Sequence, residues 1–330
     1  MKKVSAVGYL LLVSLLFPLM GVAQEKLMVV EWNVENLFDT EHDTLKNDYE
    51  FLPDGSYHWN RTRYWRKLNR VGQTITACGE SLNTMPHLIG LCEVENDTVL
   101  RDLTKRSLLR KARYEYVMTD SPDQRGVDVA LLYSPFAFQL LEHRSIEIEP
   151  LPDMRPTRDI LYVMGRILSG DSLHVFVLHA PSRSGGEKAT RPNRMLVARQ
   201  LVNVIDSIRN NNRDAQIVVM GDFNDYVSSP ALNMLRSHGL VDVSENAVGG
   251  NGAKGTYRYR GQWGSLDHIF LSRSLAGNTD SCFIKDAPFL LEEDEKYGGV
   301  KPKRNYLGPR YLNGYSDHLP LVLILRERRE

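Results

Sequence analysis

The sequence predicts an α+β fold in which two β-sheets pack face to face and helices cover their outer surfaces. Short apolar segments rich in Val, Ile, Leu and aromatic residues, most of them four to eight residues long, recur along the 330-residue chain. Segments with helical periodicity are few and lie between these predicted strands. The sequence contains no short-period repeat, low-complexity tract or obvious linker, so a single layered domain is expected.

Ten apolar segments are predicted to be strands. In chain order they are KLMVVEWN, PHLIGLCE, YEYVMTD, GVDVALLYS, FQLLEHRSIEI, DILYVMGRI, SLHVFVLHA, AQIVVMGDFN, SLDHIFLS and LPLVLIL.

Three segments are predicted to be helices. Residues 60–79 place Tyr64, Leu68, Val71 and Ile75 at the three- and four-residue spacing of one helix face. Residues 191–211 continue this periodicity up to an Asn-rich end. Residues 228–239 open with a Ser cap and a Pro in the first turn, and close at a Gly.

Residues 1–23 are predicted to be a secretory signal peptide. Lys2 and Lys3 precede an apolar run that Pro18 and Gly21 interrupt, and small residues stand before the expected cleavage after Ala23. The run is shorter than the roughly 18–20 apolar residues of a membrane-spanning helix, the alternative interpretation. We therefore expect residues 24–330 to form one exported, periplasmic or extracellular domain, monomeric and without an integral membrane segment.

The charge balance excludes a uniformly basic nucleic-acid-binding protein. The chain has 41 Lys and Arg residues against 41 Asp and Glu residues, and removing residues 1–23 leaves 39 against 41. An anionic substrate would need a local basic patch. Three cysteines, Cys78, Cys92 and Cys282, are too few for a disulfide framework, although a Cys78–Cys282 bridge stays open. Cys92 is expected to be a buried apolar residue.

Polar side chains follow several of the predicted strands. They are Asn33 and Glu35, Glu93, His179, Asp222 and Asn224, Asp267, and Asp317 and His318. One such residue is usually a turn former or a helix cap. Glu93, however, follows an aliphatic run where an unpaired carboxylate would be costly to bury. Because alternate strand residues share a face, Asp222 and Asn224 should point the same way, as should Asn33 and Glu35. A shared site is the simplest common cause.

The residue types indicate phosphate-ester chemistry. Carboxylate and amide oxygens without a Cys ligand suit hard cations such as Mg²⁺, Mn²⁺ or Ca²⁺. Histidines can then donate to phosphate or act as acid–base groups. Hydrolysis of a phosphate ester by an activated water fits this combination.

The motifs resemble the endonuclease/exonuclease/phosphatase superfamily, which has the DNase I-like fold. WNVENLFD, GLCEVEN, HAPSR, GDFND, LDHIFLS and YSDHLP occur in the expected order between Asn33 and Pro320. PSRSGG and RPNRM further resemble a bacterial, exported branch. The resemblance implies a four-layer α/β/β/α sandwich with the site at one rim of the sheets.

The resemblance also implies roles for individual residues. Glu93 looks like the main metal ligand, with Asn33, Glu35 and Asp317 beside it, and Mg²⁺ is the expected ion. Asp222 resembles the residue that positions the attacking water, and Asn224 the amide that orients the phosphate. His318 and His179 resemble the two histidines of the site, and Asp267 the acid that orients His318.

Basic residues near these motifs have two interpretations. Arg183 and Arg158 are predicted to bind the substrate phosphate. Lys188, Arg191 and Arg194 belong either to the same patch or to a solvated helix face. Five charges of the first helix, Arg61, Arg63, Arg66, Lys67 and Arg70, are expected to form an exposed helix surface.

Three functions follow. The first is an exported metal-dependent nuclease or phosphodiesterase acting on DNA or RNA, which the near-neutral charge slightly disfavours. The second is a phosphatase or phospholipase C-like hydrolase of lipid or small organic phosphates. The third, a non-catalytic binding module, is disfavoured because every key polar position is filled.

Overall fold

The structure is a computed structural model that describes residues 26–326. The predicted signal peptide lies outside this range. None of the helices between residues 26 and 326 combines the length and apolar character that a bilayer crossing requires.

The described chain forms eighteen strands and five α-helices. The strands are β1 (Lys26–Leu37), β2 (Leu88–Val94), β3 (Glu115–Met118), β4 (Asp128–Tyr133), β5 (Phe138–Ile146), β6 (Ile160–Ile167), β7 (Ser172–His179), β8 (Gln216–Asp222), β9 (Leu240–Asp242), β10 (Tyr257–Tyr259), β11 (Gln262–Gly264), β12 (Asp267–Ser272), β13 (Thr279–Ile284), β14 (Leu291–Glu293), β15 (Val300–Pro302), β16 (Tyr306–Leu307), β17 (Arg310–Tyr311) and β18 (Leu321–Arg326). The helices are α1 (Arg61–Cys78), α2 (Asp97–Arg101), α3 (Glu187–Asn211), α4 (Pro230–Ser237) and α5 (Arg273–Ala276). Short 3₁₀ turns occupy Tyr49–Phe51, Gly79–Leu82, Leu108–Ala112 and Pro288–Leu290, and a π-helical turn occupies Asp102–Arg106.

Two six-stranded mixed sheets form the centre of the fold. The first has the strand order β13-β18-β1-β2-β4-β3, and the second has the order β5-β6-β7-β8-β12-β9. Each sheet contains one parallel pair, β1 with β2 and β7 with β8, while the other neighbours are antiparallel. Two packed mixed sheets confirm the predicted α+β fold.

Three buried clusters define the four layers. Leu27 and Val29 of β1 face the interior between the sheets, where they join Val175, Val218 and other residues of the second sheet. The alternate residues of β1 face outward and pack against α1. On the other side, α3 and α4 cover the outer face of the second sheet. The layer order is therefore α/β/β/α, as the resemblance implies.

Helix α1 differs from the expectation for its charged face. Asn60 caps the helix by accepting bonds from the Thr62 and Arg63 amides, at 3.1 and 3.2 Å. Lys67, however, is only 1% exposed and donates to the Tyr315 carbonyl. Arg70 donates to the Gly314 carbonyl at 2.9 Å. The prediction of a fully exposed face was wrong because residues 313–315 pack over this side of the helix.

Three short hairpins are absent from the predicted strand list. They pair β10 with β11, β14 with β15, and β16 with β17. Their strands are only two or three residues long, too short for an alternating apolar pattern to show. The three cysteines are free thiols, and Cys92 is buried as expected.

Candidate active site

The strand ends meet at a cavity of about 770 Å³ on one rim of the two sheets. Ten of the eleven predicted site residues line it: Asn33, Glu35, Glu93, Arg158, His179, Arg183, Asp222, Asn224, Asp317 and His318. The eleventh, Asp267, is fully buried and hydrogen-bonded to His318. The expected convergence of these segments is therefore present.

Strand register aligns three of these residues across the second sheet. The parallel pairing of β7 with β8 places His179 opposite Asp222. The antiparallel pairing of β12 with β8 places Asp267 opposite the same residue. Strands β7 and β8 approach each other closely at this point, which only a glycine permits. Gly221 has a φ of 148°, and a Cβ there would lie 1.8 Å from the Leu178 carbonyl oxygen.

Asp222 and Asn224 converge for a reason other than strand alternation. Strand β8 ends at Asp222, and Asn224 adopts the left-handed conformation with a φ of 48°. The Asn224 amide N–H donates to Asp222 Oδ1 at 2.8 Å, and its side chain donates to the Ala180 carbonyl at 3.0 Å. A turn bonded to the Asp222 carboxylate thus replaces the pleat that the sequence suggested.

Left-handed backbone is concentrated around the cavity. Glu35, Asn36 and Glu93 have φ values of 55°, 53° and 64°, in addition to Asn224. Such conformations in non-glycine residues have a free-energy cost of order 1–3 kcal/mol each and often mark functional sites. No pattern in the sequence indicated them.

Asn33 and Glu35 contact different partners, contrary to the expected shared face. Asn33 donates from Nδ2 to Asp222 Oδ2 at 3.0 Å, which joins the two sheets. The two Glu35 carboxylate oxygens accept the amides of Asn305 and Tyr306 at 2.6 and 3.1 Å. The left-handed turn at Glu35 and the irregular pairing after Asn33 separate them. Glu35 therefore holds residues 305–306 in place instead of pointing toward Glu93.

The neighbours of His318 favour its charged, imidazolium form. Its Nδ1 lies 2.7 Å from Asp267 Oδ2, and its Nε2 lies 4.0 Å from Asp222 Oδ2. Burial by itself would lower the pKa of His318, but the Asp267 carboxylate, its hydrogen bond and the Asp222 charge raise the pKa well above the ordinary value. The imidazolium presents an Nε2–H donor at the floor of the cavity.

The surroundings of His179 favour its neutral form, although the ring lies beside the same carboxylate. Its Nε2 lies 3.6 Å from Asp222 Oδ2 and 4.0 Å from Glu93 Oε1. Burial lowers the pKa of His179 well below its ordinary value, and the charges of Arg158, Arg125 and His318 lower it further. Its Nδ1 has no hydrogen-bond partner among the described residues.

Arg158 supports the site from behind, a different role from the predicted phosphate contact. Its guanidinium donates to the carbonyls of His179 and Ala180 at 3.2 and 2.8 Å, and to Asp123 at 3.1 Å. These bonds hold the backbone that carries His179. Because Arg158 is only 8% exposed and already paired, we assign it to positioning.

The remaining basic residues separate into two groups. Arg194 is buried and bonded to Asp225, and Arg191 pairs with Glu187 on the same helix. Neither lines the cavity, nor does Lys188, which is exposed. Arg183 alone of this cluster lines it, with its guanidinium 4.4 Å from the Tyr226 ring centroid.

Two further arginines at the cavity were missed from the sequence. Arg125 donates to Asn36 at 2.6 Å and lies 3.8 Å from Glu93. Arg304 donates to Asp317 at 3.0 Å. Both come from loops without a recognisable motif, so no local signal could have identified them. Their charges compensate carboxylates of the cavity, and the Asp317 carboxylate is already paired with the Arg304 guanidinium.

Glu93 has the environment that best fits a divalent cation. Its side chain faces the cavity at 13% exposure, and one oxygen accepts the Asn36 amide at 2.9 Å. The other oxygen has no closer basic partner than His179 at 4.0 Å among residues 26–326. A carboxylate beside the Asn33 amide, with space for water and phosphate oxygens, suits Mg²⁺.

A second group has ligand-type atoms close together. Within residues 26–326, Asp222, Asp267 and His318 have donor atoms within 4.8 Å of one another. All three are buried, and the charged His318 ring already compensates both carboxylates. A metal there would have to displace the His318–Asp267 hydrogen bond, so Glu93 is the better assignment.

Comparison with known proteins agrees with this fold. The structure resembles an endonuclease/exonuclease/phosphatase family protein of Bacteroides thetaiotaomicron, with a TM-score of 0.62 and 18% identity over 93% of this chain and 100% of that one. It also resembles a mannosyl-6-phosphatase of that organism, with a TM-score of 0.59 and 17% identity over 90% and 98% of the two chains. Truncated TDP2 of Caenorhabditis elegans gives a TM-score of 0.53 and 16% identity over 92% and 98%.

The family of the protein is identified by comparing its sequence with known proteins and protein families. No curated protein has a significantly matching sequence. Residues 28–327, however, match the profile of the endonuclease/exonuclease/phosphatase family, which spans nearly the whole chain. This agrees with the expected class of enzyme, a metal-dependent hydrolase of phosphate esters. The chain belongs to the endonuclease/exonuclease/phosphatase family.

Proposed function

We propose that the protein is an exported phosphoesterase that hydrolyses a phosphate ester by attack of water, with Mg²⁺ as its cofactor. The observation that carries the proposal is the position of Asp222, whose Oδ2 lies 3.6 Å from neutral His179 and 4.0 Å from charged His318. A carboxylate between a neutral and a charged imidazole can orient a water while a donor faces the phosphate.

The roles of the side chains follow from their contacts. Asp222 accepts hydrogen bonds from the Asn33 side chain and the Asn224 backbone amide, and it lines the cavity, where it would orient the attacking water. His318 donates from Nε2 to a non-bridging phosphate oxygen as negative charge develops there. Asp267 fixes the His318 ring through Nδ1. Glu93 would hold the cation, which when bound stabilises the charge on the phosphate oxygens.

The two candidate activities differ in the size of the substrate that the cavity must accept. A nuclease or phosphodiesterase needs an open path for a polymer on both sides of the scissile phosphate. The segments at residues 49–57, 257–264 and 303–317 instead contribute residues around the cavity. The mannosyl-6-phosphatase resemblance adds support for a small phosphate ester, although at 17% identity it establishes only a common fold. We therefore infer the second sequence-based function, hydrolysis of small organic phosphates, because these three segments add side chains around the cavity.

A panel assay tests the proposal. Protein beginning at residue 24 is offered p-nitrophenyl phosphate, bis(p-nitrophenyl) phosphate, a sphingomyelin vesicle, plasmid DNA and RNA. Each is measured with Mg²⁺, Mn²⁺ or Ca²⁺, and with EDTA. We expect turnover of at least one ester that EDTA abolishes and Mg²⁺ restores. Turnover that survives complete chelation, or no turnover with any ion, would contradict the proposed function.

Export and oligomeric state are further parts of the proposal. The predicted signal peptide supports a periplasmic or extracellular location, and we propose that the exported domain is a monomer. Fractionation of cells that express the full chain should find the protein outside the cytoplasm, beginning near residue 24. Sedimentation should give the mass of one chain.

A further inference from the structure

Arg183 differs from the other arginines of the cavity. Arg125, Arg158 and Arg304 each donate to a carboxylate or amide side chain. The Arg183 side chain makes no hydrogen bond or ion pair with any residue between 26 and 326, and its guanidinium lies over the Tyr226 ring. Stacking leaves the edge of the guanidinium, with its five N–H donors, free for another molecule.

Tyr226 gives Arg183 a rigid support. The ring lies against Gly264 of the β10–β11 hairpin, where a Cβ would come within 2.5 Å of the ring. Tyr226 follows Asn224 by two residues, so this support begins at the catalytic turn. Arg183 and Tyr226 form one wall of the cavity, with Gly264 behind the Tyr226 ring, and this wall is called the arginine wall below.

Phe51 and Tyr57 form a second wall on the side of the first sheet, with the buried Tyr306 ring packed behind Tyr57. Phe51 lies 4.7 Å from Tyr57, and Tyr57 lies 4.9 Å from Tyr306, measured between ring centroids. Phe51 and Tyr57 pack on the cluster that includes β1 and α1, whereas Tyr226 extends from β8 of the second sheet. The cavity thus has an aromatic surface from each sheet, and flat or ring-shaped groups bind well to such surfaces.

An unpaired acidic residue of the cavity disfavours a polyanion. Glu50 lines the cavity together with these walls and makes no ion pair within residues 26–326, whereas the Glu187 carboxylate already pairs with Arg191. A nucleic acid would bring further phosphates to both sides of the scissile bond, and Glu50 would repel them. Hydroxyl groups would instead donate hydrogen bonds to Glu50 and accept them from Arg183.

We propose that the substrate is a phosphate monoester of a compact, hydroxyl-bearing ring, such as a hexose phosphate, and that Arg183 binds the hydroxyls of this leaving group. The inference rests on the proposed phosphoesterase function and adds its substrate class. His318 and Asp222 act on the phosphate, whereas the arginine wall acts on the ring. Arg183 is therefore a specificity-determining residue, and its loss should matter most for substrates that carry the hydroxyls.

The experiment compares two monoesters in two variants. Hexose 6-phosphate has ring hydroxyls, and p-nitrophenyl phosphate has a ring without them. Arg183→Gln should lower kcat/KM for hexose 6-phosphate by about tenfold or more, mainly through KM, as expected for one or two lost charge-assisted bonds. The same variant should lower kcat/KM for p-nitrophenyl phosphate by a clearly smaller factor, since that ester lacks the hydroxyls. Arg199→Gln, at an exposed position of α3, is the matched control and should change neither.

The outcomes separate the two proposals. Equal losses of both activities in Arg183→Gln would overturn hydroxyl recognition by Arg183. Faster metal-dependent hydrolysis of a short oligonucleotide than of hexose 6-phosphate would overturn the substrate class and leave the phosphoesterase function intact. No metal-dependent hydrolysis of p-nitrophenyl phosphate, its bis ester or any other ester would refute the phosphoesterase function itself.

Discussion

The Glu31 carboxyl group, buried beneath the cavity, allows the effect of burial on its pKa to be tested through the pH dependence of stability. This residue of β1 lies one pleat inward from Asn33, is 0% exposed, and has no hydrogen-bond partner for either carboxylate oxygen within residues 26–326. Burial raises the pKa of Glu31 well above 4.5, and the nearby charges of Asp267 and Asp222 raise it further, against the opposing effect of His318. The folded protein therefore holds a neutral acid there.

The substitution Glu31→Gln makes the cost of burying this acid measurable as a change in the free energy of unfolding. In the unfolded chain the Glu31 side chain ionises near its ordinary pKa of 4.5. Above that pH, folding must therefore be accompanied by the uptake of a proton. The free energy of unfolding consequently falls as the pH rises. For an acid still protonated at pH 7 this loss reaches about 3 kcal/mol, at 1.36 kcal/mol per pH unit. The glutamine side chain of the variant is neutral in both states and avoids the loss while keeping nearly the same shape.

Urea unfolding of the two proteins in EDTA between pH 4 and pH 7.5 measures the effect. The unfolding free energies should be similar at pH 4, and the variant should become more stable by about 3 kcal/mol at pH 7. Glu149→Gln, an exposed change, should stay within about 0.5 kcal/mol of the parent at every pH. A difference that does not change with pH, or a variant less stable at pH 7, would show that Glu31 is ionised and paired.

Three further predictions concern the site itself. His318→Ala and Asp222→Ala should each lower kcat at least ~100-fold, because each removes one positioned catalytic group; a variant that keeps more than half of its kcat would remove that residue from the mechanism. Glu93→Ala should mainly raise the Mg²⁺ concentration needed for half-maximal activity, which an activity titration measures, and an unchanged titration would contradict its role as ligand. Gly221→Ala should lower activity and should lower the unfolding free energy in urea by several kcal/mol, since its Cβ would clash with the Leu178 carbonyl; a fully stable variant would refute the need for glycine.

The fold and the membership of the site were accessible from the sequence because both depend on local patterns. Apolar alternation identified the long strands, and the ends of those strands carry Glu93, His179 and Asp222. Parallel and antiparallel register then aligns the ends at one rim. A residue such as Asp267 could be placed because its strand begins with it.

The orientation of these side chains could not be predicted, because it depends on turns and long-range partners. Asn224 and Glu35 were expected to obey strand alternation, yet each adopts left-handed backbone. Arg158 was expected at the phosphate, but residues 123 and 179–180 surround it. Lys67 was expected in solvent, but a segment nearly 250 residues away in sequence covers it. Periodicity contains no information about such distant contacts.

The two histidines show how these distant contacts decide the chemistry. Both rings are buried next to Asp222, so burial and this carboxylate alone would treat them alike. His318 gains a second carboxylate through its Nδ1, whereas the Nδ1 of His179 has none within the described chain and the Arg158 charge lies near. One ring is thereby held toward its charged form and the other toward its neutral form. Asp267 and Arg158 therefore give two histidines beside the same carboxylate opposite protonation preferences, and neither residue needs to contact a substrate to do so.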